Sequence, residues 1–181
     1  GLIKNLDFMM TKNLKEIESY ILVIGKTSGH LNQSEFFREI LKINEGPPPE
    51  INLFNEKNNG IIIQKLISKK LLSSVHDVSS GGILVALVEM CISGKIGAKI
   101  KVPKGKINLY EYLFGEDQSR YLIEINNKNK DEVIKILKEN SIYYEIIGKT
   151  QKDSLDLDKE FKIGLSELNR LNTYWFRDYF K

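Results

Sequence analysis

Apolar residues recur along this chain with two spacings, and the alternation between them predicts a layer of strands packed with helices. Residues 20–25 form a β-branched run closed by glycine, the pattern of a buried strand. A polar loop over 26–33 follows it. Ser34 then precedes a predicted helix over 35–41, with Phe36, Phe37, Ile40 and Leu41 on one face. Gly46-Pro47-Pro48-Pro49 marks a stiff connector, because proline lacks the N–H that a helix interior needs.

The longest predicted helix covers 52–71. Its apolar stripe is Ile62, Ile63, Leu66, Ile67 and Leu71, and Gly60 is its weak point. A second strand over 73–78 runs into Ser79-Ser80-Gly81-Gly82. Residues 83–93 are apolar almost all round, as in a helix packed between layers, and Gly94 is expected to end it. Beyond it the pattern gives a strand at 96–102, a short helix at 108–114 and a strand at 121–125. An amphipathic helix at 131–140 is built on Val133, Ile134 and Leu137. A strand at 142–147 and a weaker pair within 155–163 follow. Ser166 is placed to cap a last helix carrying Leu168, Leu171 and Trp175 on one side. The reading is an α/β fold, α+β in strict terms, with a central mixed sheet and packed helices. It treats 1–181 as one domain, with a lead-in at 1–19 and a terminal helix at 165–181.

Composition narrows the class. Apolar residues are 41% of the 181, enough for a true core. Basic residues number 27 against 24 acidic ones, and the lysines are scattered, which argues against a nucleic-acid surface. Cys91 is the sole cysteine, so no intramolecular disulfide can form and a cytoplasmic setting is expected. Its apolar surroundings mark it as a small buried hydrophobe rather than a nucleophile. The apolar run 83–92 contains Glu89 and falls short of the roughly 20 residues that cross a bilayer, so no membrane partner is expected. The start at Gly1, without methionine, reads as a piece of a longer polypeptide, although processing or a cleaved tag would look the same.

Three stretches could carry chemistry. In His76-Asp77-Val78-Ser79-Ser80-Gly81-Gly82 a strand end meets a glycine pair and a helix start, where unpaired N–H groups favour an anion. The plain alternative is a tight turn in which Asp77 or Ser79 caps the helix and Gly81 supplies a positive φ. The second stretch, 25–34, leads from a strand to a helix start and offers Thr27, Ser28, Gly29 and Ser34 to a phosphate. It lacks P-loop spacing, and a plain surface loop is the rival reading. The third, Phe114-Gly115-Glu116-Asp117-Gln118-Ser119-Arg120-Tyr121, gathers two carboxylates, an amide and a guanidinium. It can hold ribose hydroxyls or an amide, or be a salt bridge in which Arg120 neutralises Glu116 or Asp117. With His30 and His76 the only histidines, a metal site within this chain is not expected.

Taken together, these motifs and their spacing resemble the C-terminal-type domain of the aminoimidazole ribonucleotide synthetase superfamily. Within it the chain is similar to the phosphoribosylformylglycinamidine synthase family, over nearly its whole length. Ser80 stands where that family usually has an acidic residue, and Asn32-Gln33 where Gly-Gly or Gly-Gln is often seen. The resemblance implies a domain of an ATP-dependent carbon–nitrogen ligase of purine biosynthesis, with ATP and magnesium bound mainly by other domains. It implies as partners those remaining domains, a glutaminase and small accessory subunits. His76, Asp77, Ser79, Gly81, Gly82, Glu116, Asp117 and Gln118 are carried over as substrate- or nucleotide-binding positions, or as those of a pseudo-site. No catalytic residue is expected here, and the segment alone is expected to be inactive. A sister synthetase or kinase domain, or a non-catalytic nucleotide-binding or assembly module, is the alternative.

Overall fold

The computed structural model describes residues 5–102, 105 and 107–179, without the side chains of Trp175 and Arg177. The expectations for Gly1 and for the Trp175 side chain therefore lie outside the described residues. The strands are β1 (Tyr20–Ile24), β2 (Ser74–Asp77), β3 (Gly97–Ile100), β4 (Tyr121–Ile125), β5 (Tyr144–Gln151), β6 (Ser154–Leu157) and β7 (Phe161–Gly164). They form one sheet in the order β2-β4-β1-β5-β3-β6-β7. Neighbours are antiparallel except β3 and β6, so the sheet is mixed, as expected. The helices are α1 (Leu53–Ser68), α2 (Gly82–Gly94), α3 (Leu109–Phe114), α4 (Lys130–Glu139) and α5 (Leu165–Tyr179).

The two-residue period of β1 divides the core. Ile21 and Val23 join Ile83, Ala86, Leu87, Met90 and Cys91 of α2 on one face of the sheet. Leu22 and Ile24 join Ile62, Ile63 and Leu66 of α1, with Val133, Ile136 and Leu137 of α4, on the other. A strand covered on both faces has no polar side, which is why 21–24 reads as an unbroken apolar run. Each such side chain contributes about 1.5–3 kcal/mol by leaving water. Glu124 of β4 is a charged exception. Fully buried, it accepts the amides of Lys15 at 2.9 Å and Glu16 at 3.0 Å, and the Ser74 hydroxyl at 3.0 Å. It thereby ties the lead-in segment to the sheet.

Several expectations need correction. Residues 36–41 form a π-type turn, not an α-helix, closed by Lys42 at φ 57°. In that wider turn Phe36 stacks on Phe114 at 4.7 Å, while Ile40 and Leu41 are 67% and 46% exposed. Helix α2 runs through Gly94, and the left-handed cap is Lys95. Gly94 is needed for a different reason: a Cβ there would sit 2.4 Å from the Leu14 carbonyl oxygen. Strand β5 continues to Gln151 because it pairs with both β1 and β3. Helix α5 begins at Leu165, ahead of Ser166, and Leu171 is exposed while Leu168 packs on the core. No helix among the described residues is long and apolar enough to cross a membrane.

Candidate functional site

Strands β1 and β2 flank β4 and run antiparallel to it, with Ile24 and Asp77 both opposite Tyr121. The chain leaving β1, the chain leaving β2 and the chain entering β4 therefore meet at one end of the sheet. Those three segments are the three motifs singled out above. Topology, not sequence proximity, brings them together.

The third motif holds the other two. Asp117 Oδ2 accepts the amides of Ser28 at 3.0 Å and Gly29 at 2.9 Å, and Oδ1 accepts that of His30 at 3.3 Å. Glu116 Oε1 accepts the amides of Gly81 and Glu35, each at 2.8 Å, while its own N–H donates to the His30 carbonyl. Arg120, only 1% exposed, donates to the carbonyls of Asp117 and Gly115 and to Thr27 Oγ1, and pairs with Asp117 at 3.7 Å. Burial pulls its guanidinium below the ordinary value, opposed by the charges of Asp117 and Glu116 and by Tyr112. Its full set of acceptors is what keeps this buried cation tolerable.

Glycine lets the loops touch. At Gly82, with φ 69°, a Cβ would lie 2.6 Å from the Leu113 carbonyl oxygen; at Gly29, with φ 82°, it would lie 2.7 Å from Glu111 Cβ. Gly81 takes φ 80°, as the plain reading of that turn required, but no side chain of Asp77 or Ser79 caps α2. Ser79 contributes its carbonyl to the Gly82 amide at 3.1 Å. Ser34 is buried and accepts the Phe37 amide on its hydroxyl, capping the π-type turn.

Beside this junction lies a cleft of about 730 Å³. Ser28, Gly29, Asp117 and Gln118 line it, together with Lys26, Asn52, Asn55, Asn59 and Glu111. Lys26 lies in the second motif, whereas Asn52, Asn55, Asn59 and Glu111 were missed by motif reading, although the three asparagines recur at helical spacing, a visible polar face at the start of α1. Asn59 donates to the Ser119 carbonyl at 2.8 Å. Ser119, at φ 68°, has a buried hydroxyl with no hydrogen-bond partner among the described residues.

His76 and Asp77 are not in the cleft. His76 turns toward α2, where Nε2 lies 2.7 Å from Glu89 Oε2, and Glu89 also takes Lys12 Nζ at 2.9 Å. Asp77 is mostly exposed, 3.4 Å from His76 Nδ1. Burial pushes the Glu89 carboxyl up, but its hydrogen bonds from Lys12 and His76 outweigh that and hold it below the ordinary value. Burial pushes the Cys91 thiol up to about 12, which keeps it protonated and unreactive. No group of three or more His, Cys, Asp or Glu among the described residues could hold a metal ion.

The family described as AIR synthase related protein, C-terminal domain, matches residues 18–158. The chain belongs to that family. A curated relative of this AIR synthase related domain is the phosphoribosylformylglycinamidine synthase subunit PurL of Pelagibacter ubique (strain HTCC1062). It is 52% identical over 179 residues, which is 99% of this chain and 24% of that protein. The chain thus spans about a quarter of the length of the curated relatives it matches. Among solved structures, T. maritima PurL complexed with FGAR gives a TM-score of 0.74 at 15% identity, covering 90% of this chain and 30% of that one. T. maritima PurL complexed with ATP gives 0.69 at 15% identity, covering 90% and 27%. At such identity the likeness shows the fold.

Proposed function

We propose that this AIR synthase related domain is the C-terminal domain of the synthetase subunit of phosphoribosylformylglycinamidine synthase, one domain over 1–181, working in the cytoplasm. The observation that carries the reading is 52% identity along 99% of the chain to the corresponding quarter of a PurL subunit. The parent reaction is the ATP-dependent conversion of formylglycinamide ribonucleotide to its amidine: ATP activates the formamide oxygen, and ammonia displaces phosphate. The described residues do not fit magnesium, since they offer no cluster of metal-ligating side chains. The amides of Ser28 and Gly29 are engaged by Asp117. ATP and magnesium are accordingly held by the remaining domains, and no step of the chemistry is assigned to this chain.

What this domain supplies is a shaped wall. Lys26, Asn55, Asn59 and Gln118 line the cleft with donors and acceptors, and Asn59 is held by the Ser119 carbonyl. Next to the lining residues Phe37, Pro49, Glu50 and Asn52, the apolar side chains of Ile40, Ile51, Leu53 and Phe54 are 66–76% exposed. Apolar surface of this kind marks an interface, and the remaining domains of the subunit are its partner. A glutaminase and small accessory subunits complete the assembly that the resemblance implies.

Replacing the corresponding segment of the Pelagibacter subunit with this chain tests the reading. The chimaera is expected to retain ATP-dependent turnover of formylglycinamide ribonucleotide with ammonia, and the isolated chain to show none. A folded but inactive chimaera sinks the assignment. Turnover by the isolated chain sinks the division of labour.

A further inference from the structure

Successive backbone amides converging beside a positive-φ residue form a concavity that takes an anion. One lies among the described residues, made by the amides of Ser28, Gly29 and His30, with Gly29 at φ 82°. Beside it two amides from separate segments, Gly81, at φ 80° before α2, and Glu35, at the start of the π-type turn, converge on one acceptor. Each has the residue types of a phosphate site, and each is already filled.

We infer that Glu116 and Asp117 are built-in anions: the chain's own carboxylates occupy the positions a phosphate would take, so the loop 25–35 and the start of α2 exclude phosphoryl groups. Asp117 is 9% exposed and tied to the buried Arg120, so it does not swing away to make room. Glu116 bridges two segments with one oxygen, and moving it would release both turns at once. A phosphate entering the first concavity would meet the Asp117 carboxylate within contact distance and find Arg120 already engaged with Asp117, the Gly115 carbonyl and Thr27. The adjoining cleft adds Glu50 and Glu111 to the same wall. Both acids are therefore positioning residues that set the loops. A cleft ligand meets the amides of Asn55, Asn59 and Gln118 and the ammonium of Lys26, beside the carboxylates of Glu50, Glu111 and Asp117. This inference rests on the hydrogen-bond geometry and is independent of the assignment to a synthetase.

Titrating inorganic phosphate into the 181-residue chain while following the amide resonances of Ser28, Gly29, His30 and Gly81 is the first arm. They are expected not to move beyond the shift that sodium chloride causes at equal ionic strength. Saturable phosphate-dependent movement of those resonances overturns the inference, whatever the variants do. The second arm is chemical rescue of Asp117→Gly, which vacates the first concavity. Formate, a free carboxylate small enough to fill it, is expected to raise the Tm of the variant by about 2–4 °C more than chloride does. Wild type, whose concavity is occupied, should show no such difference. Equal responses to formate and chloride in a variant that still melts cooperatively overturn it. If Asp117→Gly does not fold, Asp117→Ser serves instead. Its shorter side chain removes the charge and leaves the concavity open, and it should gain phosphate-dependent shifts at Ser28 and Gly29 that wild type lacks. Their absence overturns the inference.

Discussion

The junction of the three loops and the rim around the proline connector lie side by side, and they invert what their compositions announce. The junction is built from polar and charged residues, yet Arg120 and Asp117 are 1% and 9% exposed and their hydrogen bonds close on one another. The rim is built from isoleucine, leucine and phenylalanine, yet Leu53 and Phe54 are 76% and 73% exposed. A buried polar group is tolerated only when its partners are supplied at short range, and here the chain supplies them for the charged groups Arg120, Asp117 and Glu116. An exposed apolar group costs little until a partner arrives. The charges of the junction are therefore satisfied within this domain, whereas the apolar rim is open.

That contrast can be broken by experiment. The largest effect is expected from Arg120→Ala, which strands the Asp117 carboxylate and three oxygen acceptors in the interior; urea denaturation should show a loss of about 3–5 kcal/mol. Arg120→Lys should not restore it, because an ammonium cannot reach acceptors arranged around a planar fork. A loss below about 1 kcal/mol would mean that the junction is solvated and the comparison false. Next comes Gly82→Ala, with a strained left-handed φ and a Cβ 2.6 Å from a carbonyl oxygen; about 1–3 kcal/mol is expected on the same assay.

A smaller effect, and one that depends on pH, belongs to the corner formed by His76, Glu89 and Lys12. The folded-state value of Glu89 is depressed, so its contribution is present above the ordinary carboxylate value of 4.5 and is lost as pH falls through the folded value. The stability difference between wild type and Glu89→Gln should accordingly appear near neutrality and vanish in acid. A difference that grows on acidification contradicts the assigned direction. The smallest effect is expected at the rim: Leu53→Ser and Phe54→Ser should each change the stability of this chain by no more than about 0.5 kcal/mol. In the assembled subunit the same changes should weaken the docking of this domain, which turnover of the whole synthetase would register.

The order of strands and helices was legible because the apolar periods are strong where burial is two-sided, as in 21–24 and 83–91. Boundaries slipped where a tertiary contact decided them. Helix α2 does end at Gly94, but the left-handed cap is Lys95 and Gly94 is a point of backbone contact with Leu14, and β5 outran its apolar pattern because both of its edges are paired. At the site, the types of residue were legible and their directions were not. Asp117 reads from sequence either as a ligand-binding position or as a partner of Arg120; it pairs with Arg120 and takes the loop amides, and His76 pairs with Glu89 across 13 positions of sequence. The asparagines of α1 left a spacing signal, but nothing in the chain said that this face would border the loop 117–119.

By itself the sequence determined the family, the alternating architecture, the apolar runs that form the core and the polar residue types of the three motifs. These follow from side-chain period and residue type, which are local properties of the chain. Only the tertiary structure decided which polar groups answer one another. A carboxylate and an amide separated by 89 positions become partners through strand order and register, and no local pattern encodes that distance. The same fold decided that the glycine turns would be filled from within and the apolar rim left open.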